Sequence, residues 1–340
     1  MLTKKDAKMA QGLAILGMVM LHLFCRLDNL PYETIFKIGG VPLIYYIGLF
    51  GDLCVTVFCF CSGYAQEVLA NKDVNYNKNR WKRLFKFILH FELILVVFSI
   101  IGLVVGSTDI PVSLNEFIGN MFLYGLSYNG AWWFVVTYIL LIIIYPYLRK
   151  INDRINPVMM LCVSFALYFI GYIFEFQIMI NTNDAVLNWI FTQVLLLART
   201  QLPFVVGMIV CKHSVVEKLK NMLNNIRYKN LILAFIVLIM FVFHCFVQSL
   251  IVAPFTGIVT IMCFHLWNKP VLIENLFEFL GKHSTNIWLT HMFFYLILFR
   301  GMVFKAKYPL FILVYMMTIC IIVSIIINYI EGFIRKLVKK

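Results

Sequence analysis

The chain has 340 residues, of which 62% are hydrophobic and 13% are charged, and its net charge is +13. A soluble domain carries about 45–50% apolar and about 25% charged residues. A water-soluble fold could not bury so much apolar surface, so this composition excludes a soluble enzyme and indicates a protein that uses lipid as its solvent.

Ten apolar segments follow one another along the chain. A membrane-spanning helix needs about 20 mostly apolar residues. The sequence therefore predicts an all-α, polytopic transmembrane bundle that forms one domain over residues 1–340, with no room for a separate soluble domain. The predicted spans are 9–25, 49–70, 84–106, 131–148, 157–175, 195–211, 231–247, 249–267, 284–299 and 308–331.

Lysines and arginines predict the orientation of these spans. With both termini in the cytoplasm, 23 of the 29 basic residues fall on the inner side, at every cytoplasmic loop. Such a bias is the positive-inside signal. This bias also explains the positive net charge, so the charge is no reason to expect nucleic acid as a partner. The basic start and first apolar segment lack a small-residue cleavage site, so they are interpreted as the first span. The shorter apolar stretch 36–48 is expected to be interfacial or re-entrant.

Nine cysteines raise the question of disulfides or a metal. Most of them lie in apolar runs, where cysteine packs as a small hydrophobe. No Cys-x-x-Cys pair or histidine pair has the spacing of a metal site. We therefore expect no disulfide framework and no metal.

Ionisable side chains inside the spans are costly, so each one is a candidate for function. His22 lies fourteen residues after Lys8, which places it about 21 Å further along the first helix and in the outer half of the membrane. His244 and His265 are interpreted as hydrogen-bonded packing residues. The remaining candidates are His90, Glu92 and His291.

Several motifs keep a recognisable order along the chain. Together, across nearly all of it, they resemble the acyltransferase-3 family, integral membrane proteins that O-acylate cell-surface carbohydrates and related molecules. The motifs are AQGLAILGMVMLHLF (10–24), FCFCSGYAQE (58–67), NRWKRL (79–84), AWWFVVTYILL (131–141), LPFVVGMIV (202–210) and GKHSTNIWLTHMFF (281–294).

The resemblance implies roles for single residues. His22 matches the family's first-helix histidine, which implies the catalytic base. The family usually has a basic residue eleven positions earlier; here that position is Gln11, and Lys8, one turn before it, could extend to the same place. The positions implied to bind substrate are Gln11, Ser62, Arg80, Arg83, Trp133 and His291.

The resemblance further implies the reaction. An acyl group, commonly acetyl, would pass from cytoplasmic acyl-CoA, a co-substrate, to a hydroxyl of a surface glycan, lipid or other acceptor at the cell membrane. No permanently bound cofactor is expected. Two alternatives stay open from the sequence. One is a transporter or flippase of a glycan or lipid-linked substrate, with the histidines as proton relays. The other is an acyltransferase-like protein without activity.

Overall fold

A computed structural model describes residues 1–28, 30–178 and 182–338. Within them the first half of the chain forms a run of helices with one two-stranded hairpin. Its elements are α1 (Lys4–Phe24), β1 (Lys37–Ile38), β2 (Val41–Pro42), α2 (Leu43–Phe50), α3 (Leu53–Lys72), α4 (Tyr76–Val104), α5 (Leu114–Met121), α6 (Trp133–Arg154) and α7 (Pro157–Ile173).

The second half is helical in its described residues. A π-helical turn, Phe293–Ile297, extends α12 towards α13. The helices are α8 (Ala185–Lys212), α9 (Val215–Leu223), α10 (Lys229–Phe246), α11 (Ala253–Leu266), α12 (Val271–Met292), α13 (Arg300–Phe304) and α14 (Pro309–Val338).

The predicted all-α membrane bundle is confirmed. Eight helical segments of the described chain are long and apolar enough to cross a membrane. The other two predicted spans, 249–267 and 284–299, correspond to α11, which has only 14 residues, and to the second half of α12. A helix of 14 residues, such as α11, rises about 21 Å, which is less than the thickness of the hydrocarbon core, about 30 Å. The number of crossings and the side on which the termini lie stay predictions.

Several segments differ from their predicted bounds: α4 begins at Tyr76 and α12 at Val271, eight and thirteen residues before the predicted starts. The stretch 36–48 forms the β1–β2 hairpin and most of α2, which meets α3 at a break at Gly51 and Asp52. Helix α8 begins ten residues before the predicted span 195–211. Its start is fixed by Asp184, whose carboxylate accepts hydrogen bonds from the backbone N–H groups of Val186 and Leu187. Such a cap satisfies donors at a helix start that hydropathy alone does not reveal.

Glycines bring the central helices into backbone contact. A Cβ on Gly281 of α12 would lie 1.8 Å from the carbonyl oxygen of Lys8 on α1. A Cβ on Gly63 of α3 would lie 1.9 Å from that of Phe204 on α8. Small residues at such crossings let membrane helices approach closely and gain dispersion contacts. These contacts place α1, α3, α8 and α12 at the centre, whereas α10, only 11% buried, lies at the edge.

Candidate functional site

A cavity of about 470 Å³ lies between α1, α3, α4, α6 and α12. On the predicted orientation it occupies the inner half of the membrane. Four residues implied by the family resemblance line it together, namely Gln11, Ser62, Arg80 and Arg83. Lys8, the proposed substitute for the missing basic residue, lines it as well, and its ammonium group donates to the carbonyl of Gly281 at 3.1 Å.

Arg80 is held in place by a helix that contains a proline. Pro146 lies inside α6 and has no N–H, so the carbonyl of Ile142 has no intrahelical partner four residues on. The Nη1 group of Arg80 donates to this carbonyl at 2.9 Å and to that of Ile143 at 3.1 Å. The arginine therefore fills the gap in the hydrogen bonding of α6 and is only 7% exposed.

Arg83 is more loosely held, one turn further along α4. Its Nη1 lies 3.7 Å from a carboxylate oxygen of Asp73, and its guanidinium lies over the ring of Tyr76 at 5.5 Å. Four buried polar atoms of the cavity residues have no hydrogen-bond partner among the described residues: Oε1 of Gln11, Oγ of Ser62, Nε of Arg80 and Nη2 of Arg83. Buried polar atoms usually have a partner, and unpaired ones are costly. Two unpaired donors on cations fit an anionic ligand.

His22 does not line this cavity. It is half-buried in a small pocket of about 40 Å³ that also contains Arg26, Tyr295 and Arg300. Eleven residues of α1 separate Gln11 from His22, a rise of about 16 Å. The structure therefore holds two sites on α1, an inner cationic cavity and an outer histidine pocket.

His291 and Tyr295 surround the imidazole of His22. Nε2 of His291 lies 3.3 Å from Nδ1 of His22, and the hydroxyl of Tyr295 lies 3.2 Å from the same nitrogen. The π-helical turn closes through a bond from the N–H of Leu298 to the carbonyl of Phe293 at 2.8 Å. It carries Tyr295, and π-helical turns recur at functional sites.

The hydrogen bonds of His291 influence which nitrogen of His22 carries a proton. Nδ1 of His291 lies 2.8 Å from the carbonyl of Trp288 and 3.1 Å from that of Ile287. Carbonyls only accept, so this Nδ1 is the donor and Nε2 of a neutral His291 is an acceptor. When Nδ1 of His22 donates to this acceptor, Nε2 of His22 keeps its lone pair, as a general base requires. The hydroxyl of Tyr295, 3.2 Å from the same Nδ1, can also donate to it, which favours the other tautomer.

Comparison with known proteins identifies the family. The family model described as "Acyltransferase domain" matches residues 7–329 of the 340, nearly the whole chain. The chain belongs to the acyltransferase-3 family. No curated protein and no solved structure matched the chain. Membership supports a membrane acyltransferase, and the resemblance stated from the motifs is confirmed.

Trp133 of this acyltransferase-3 protein lies outside the inner cavity, although the resemblance implied that it binds substrate. Its neighbour Phe134 lines the cavity instead. Trp133 lines a separate pocket of about 110 Å³ with Asp52 and Arg199. Asp52, at the break between α2 and α3, is buried and accepts a hydrogen bond from Nε2 of His244 at 2.9 Å. His244 is therefore half of a buried polar pair, which its position in an apolar run did not reveal.

Another polar network in the acyltransferase-3 bundle went unrecognised in the sequence. His90 of α4 bonds Glu331 of α14 and Asn286 of α12 through its two ring nitrogens. Asn286 in turn donates to the carbonyl and the hydroxyl of Ser324. Since interhelical hydrogen bonds join membrane helices, this network ties the three helices together. The sequence alone indicates His90 only as an ionisable candidate inside a span and does not indicate its partners on α12 and α14.

A metal was not expected from the sequence. Among the residues that the structure describes, no group of three or more His, Cys, Asp or Glu side chains could hold one.

Proposed function

We propose that the protein is a membrane O-acyltransferase that transfers an acyl group, acetyl in the first instance, from cytoplasmic acyl-CoA to a hydroxyl of a cell-surface carbohydrate or related acceptor. One observation carries this proposal: α1 lines a cavity in which Arg80 and Arg83 of α4 each keep a buried donor that has no partner among the described residues. Helix α1 also carries His22, whose Nδ1 faces His291. The family supports the transfer reaction, and the cavity supports an anionic donor.

The donor argument starts from charge. Acyl-CoA carries phosphates, and arginine binds phosphate with charge-assisted hydrogen bonds. Arg80 and Arg83 lie on the side predicted to face the cytoplasm, where CoA is found. The cavity continues from them to a set of aromatic side chains, Phe58, Phe87, Phe134, Tyr138 and Trp288. We infer that the phosphates bind at the arginines and that the pantetheine arm extends towards these rings.

The proposed chemistry assigns the base to His22. Nε2 takes the proton of the acceptor hydroxyl while the hydroxyl oxygen attacks the thioester carbonyl carbon. A carbon–oxygen bond forms, the carbon–sulfur bond breaks, and the CoA thiolate leaves and is protonated, so that one proton moves from the hydroxyl to sulfur overall. His291 holds the tautomer of His22, and it acts as a positioning residue because it reaches the acceptor only through His22.

Purified protein in lipid nanodiscs tests this proposal. Acetyl-CoA is supplied, and release of the free CoA thiol is followed with and without a cell-surface glycan extract. We expect release that depends on the extract and on Arg83. Lys82→Gln is the matched control for Arg83→Gln, because Lys82 is an exposed basic residue on the same helix. Folded protein that releases no thiol from any acyl-CoA would contradict the proposal and favour the transporter interpretation.

A further inference from the structure

Four aromatic rings close one end of the inner cavity; Phe87, Phe134, Tyr138 and Trp288 together are called the aromatic wall. They come from α4, α6 and α12, and all four line the cavity. Trp288 lies nearly parallel to Phe87, at 6.1 Å between ring centroids and 12° between planes. Its ring also meets Phe134 edge-on at 5.4 Å. Offset stacked and edge-on contacts of this kind are the favourable ones for aromatic rings.

Trp288 is fixed in the wall by its polar atom. Its indole N–H donates to the carbonyl of Ala131 at 3.0 Å. This bond joins α12 to the turn that begins α6. Rotating the indole out of the cavity would break the bond and leave the indole N–H and the carbonyl unpaired, which is costly away from water. The position of the Trp288 indole is therefore set by a backbone carbonyl.

The wall stands next to the histidine pair. Trp288 precedes His291 by three residues, about 4.5 Å along the helix axis, and its carbonyl accepts the hydrogen bond from Nδ1 of His291. Neither His22 nor His291 lines the cavity, whereas Trp288 does. A group that binds in the cavity and extends towards His22 therefore meets the indole of Trp288 first.

We propose that Trp288 determines the length of the acyl group that the enzyme accepts. The inference rests on the proposed function, because it takes the ligand of the cavity to be acyl-CoA. On this proposal the phosphates bind at the arginines and the acyl group extends towards Trp288, so each added methylene brings the chain closer to the indole. One methylene more or less in a tight apolar pocket changes discrimination by about 10-fold to 200-fold.

Turnover of an acyl-CoA series tests the role of Trp288. The kcat/KM for acetyl-, propionyl- and butyryl-CoA is measured for wild type, Trp288→Ala and Trp288→Phe in nanodiscs. We expect the ratio of butyryl to acetyl to rise at least about 10-fold in Trp288→Ala and less in Trp288→Phe, whose ring is smaller. Trp267→Ala is the matched control, because Trp267 is an exposed tryptophan outside the cavity. An unchanged ratio in folded Trp288 variants would overturn the inference.

Equilibrium binding of the same acyl-CoAs separates this inference from the proposed function. Wild-type affinity should fall with chain length, and Trp288→Ala should flatten that dependence. If thiol is released from acetyl-CoA but length has the same effect in every variant, only the inference fails. If the affinity depends on chain length in wild type but not in Trp288→Ala, and no thiol is released, only the proposed transfer fails. If Trp288→Ala does not fold, Phe134→Ala removes a ring of the same wall and should shift the ratio in the same direction.

Discussion

Replacing His22 with glutamine separates its chemistry from its packing. The amide keeps hydrogen-bonding capacity towards His291 and Tyr295, the two groups that contact the imidazole. It cannot take a proton from a hydroxyl. If His22 is the base, His22→Gln should lose transfer as completely as His22→Ala, whereas a purely structural histidine would be largely rescued by the amide.

The expected magnitudes differ enough to decide between these roles. His22 makes two contacts, at 3.2 and 3.3 Å. Interhelical hydrogen bonds in membranes average about 0.6 kcal/mol, so losing both costs about 1.2 kcal/mol of stability. General base catalysis contributes about 10²-fold to 10⁴-fold in rate, which corresponds to about 2.7–5.5 kcal/mol of barrier. Activity should therefore fall far more than stability.

Acyl transfer is measured in membranes at matched protein levels, and folding is checked by thermal denaturation in detergent. The control is His283→Gln on α12, a half-buried histidine whose Nδ1 bonds Ser324 at 2.8 Å and which lies outside both sites. It should retain transfer. Activity of His22→Gln within about tenfold of wild type, against the 10²-fold minimum expected of a base, would remove His22 from the mechanism.

Further outcomes are expected elsewhere in the bundle. Arg83→Gln should raise the KM for acyl-CoA about tenfold or more in a donor titration, because a charge-assisted hydrogen bond contributes about 1.5–3 kcal/mol. An unchanged KM would show that Arg83 only contributes to the positive-inside bias and does not bind the donor. His244→Ala should lower the free energy of unfolding by about 1–3 kcal/mol, because it leaves a buried carboxyl oxygen of Asp52 without its hydrogen-bond partner; retained stability in a denaturation series would contradict this. Cysteines placed at Asn77 and Thr108, in a cysteine-free background, should react with impermeant reagents from opposite sides of the membrane; labelling from one side would contradict the predicted orientation.

The sequence predicted the helices well because each depends on its own residues. Hydropathy located the eight long apolar helices but only the second half of α12, and the motif order identified the family. The resemblance pointed to Arg80 and Arg83, and their spacing of three residues places both on one face of a helix. The roles implied for single residues stay predictions, because geometry shows where these side chains lie and not what they do.

The sequence did not predict which side chains from distant helices contact each other. Asp52 and His244 are 192 residues apart, and periodicity does not reveal which helices are neighbours. The same limit applies at the start of α6, where the resemblance pointed to Trp133 and the packing places Phe134 at the cavity. Adjacent residues on a helix point about 100° apart, so only the packing of α6 decides which one faces inward.

The basic residues of α4 show how a topology signal and a binding site share one segment. Positive-inside bias needs only charge on the cytoplasmic side, so it is satisfied by exposed residues such as Lys82 and Lys86. It gives no reason for a cation that is 7% exposed, as Arg80 is. Burying Arg80 is tolerable because Pro146 leaves a helix carbonyl for its Nη1, yet its Nε has no hydrogen-bond partner in the described part of the chain. A residue needed only to complete α6 would not require a second cation one turn away that lines the same cavity. The pairing of Arg80 with Arg83 is therefore better explained by an anionic ligand than by topology alone.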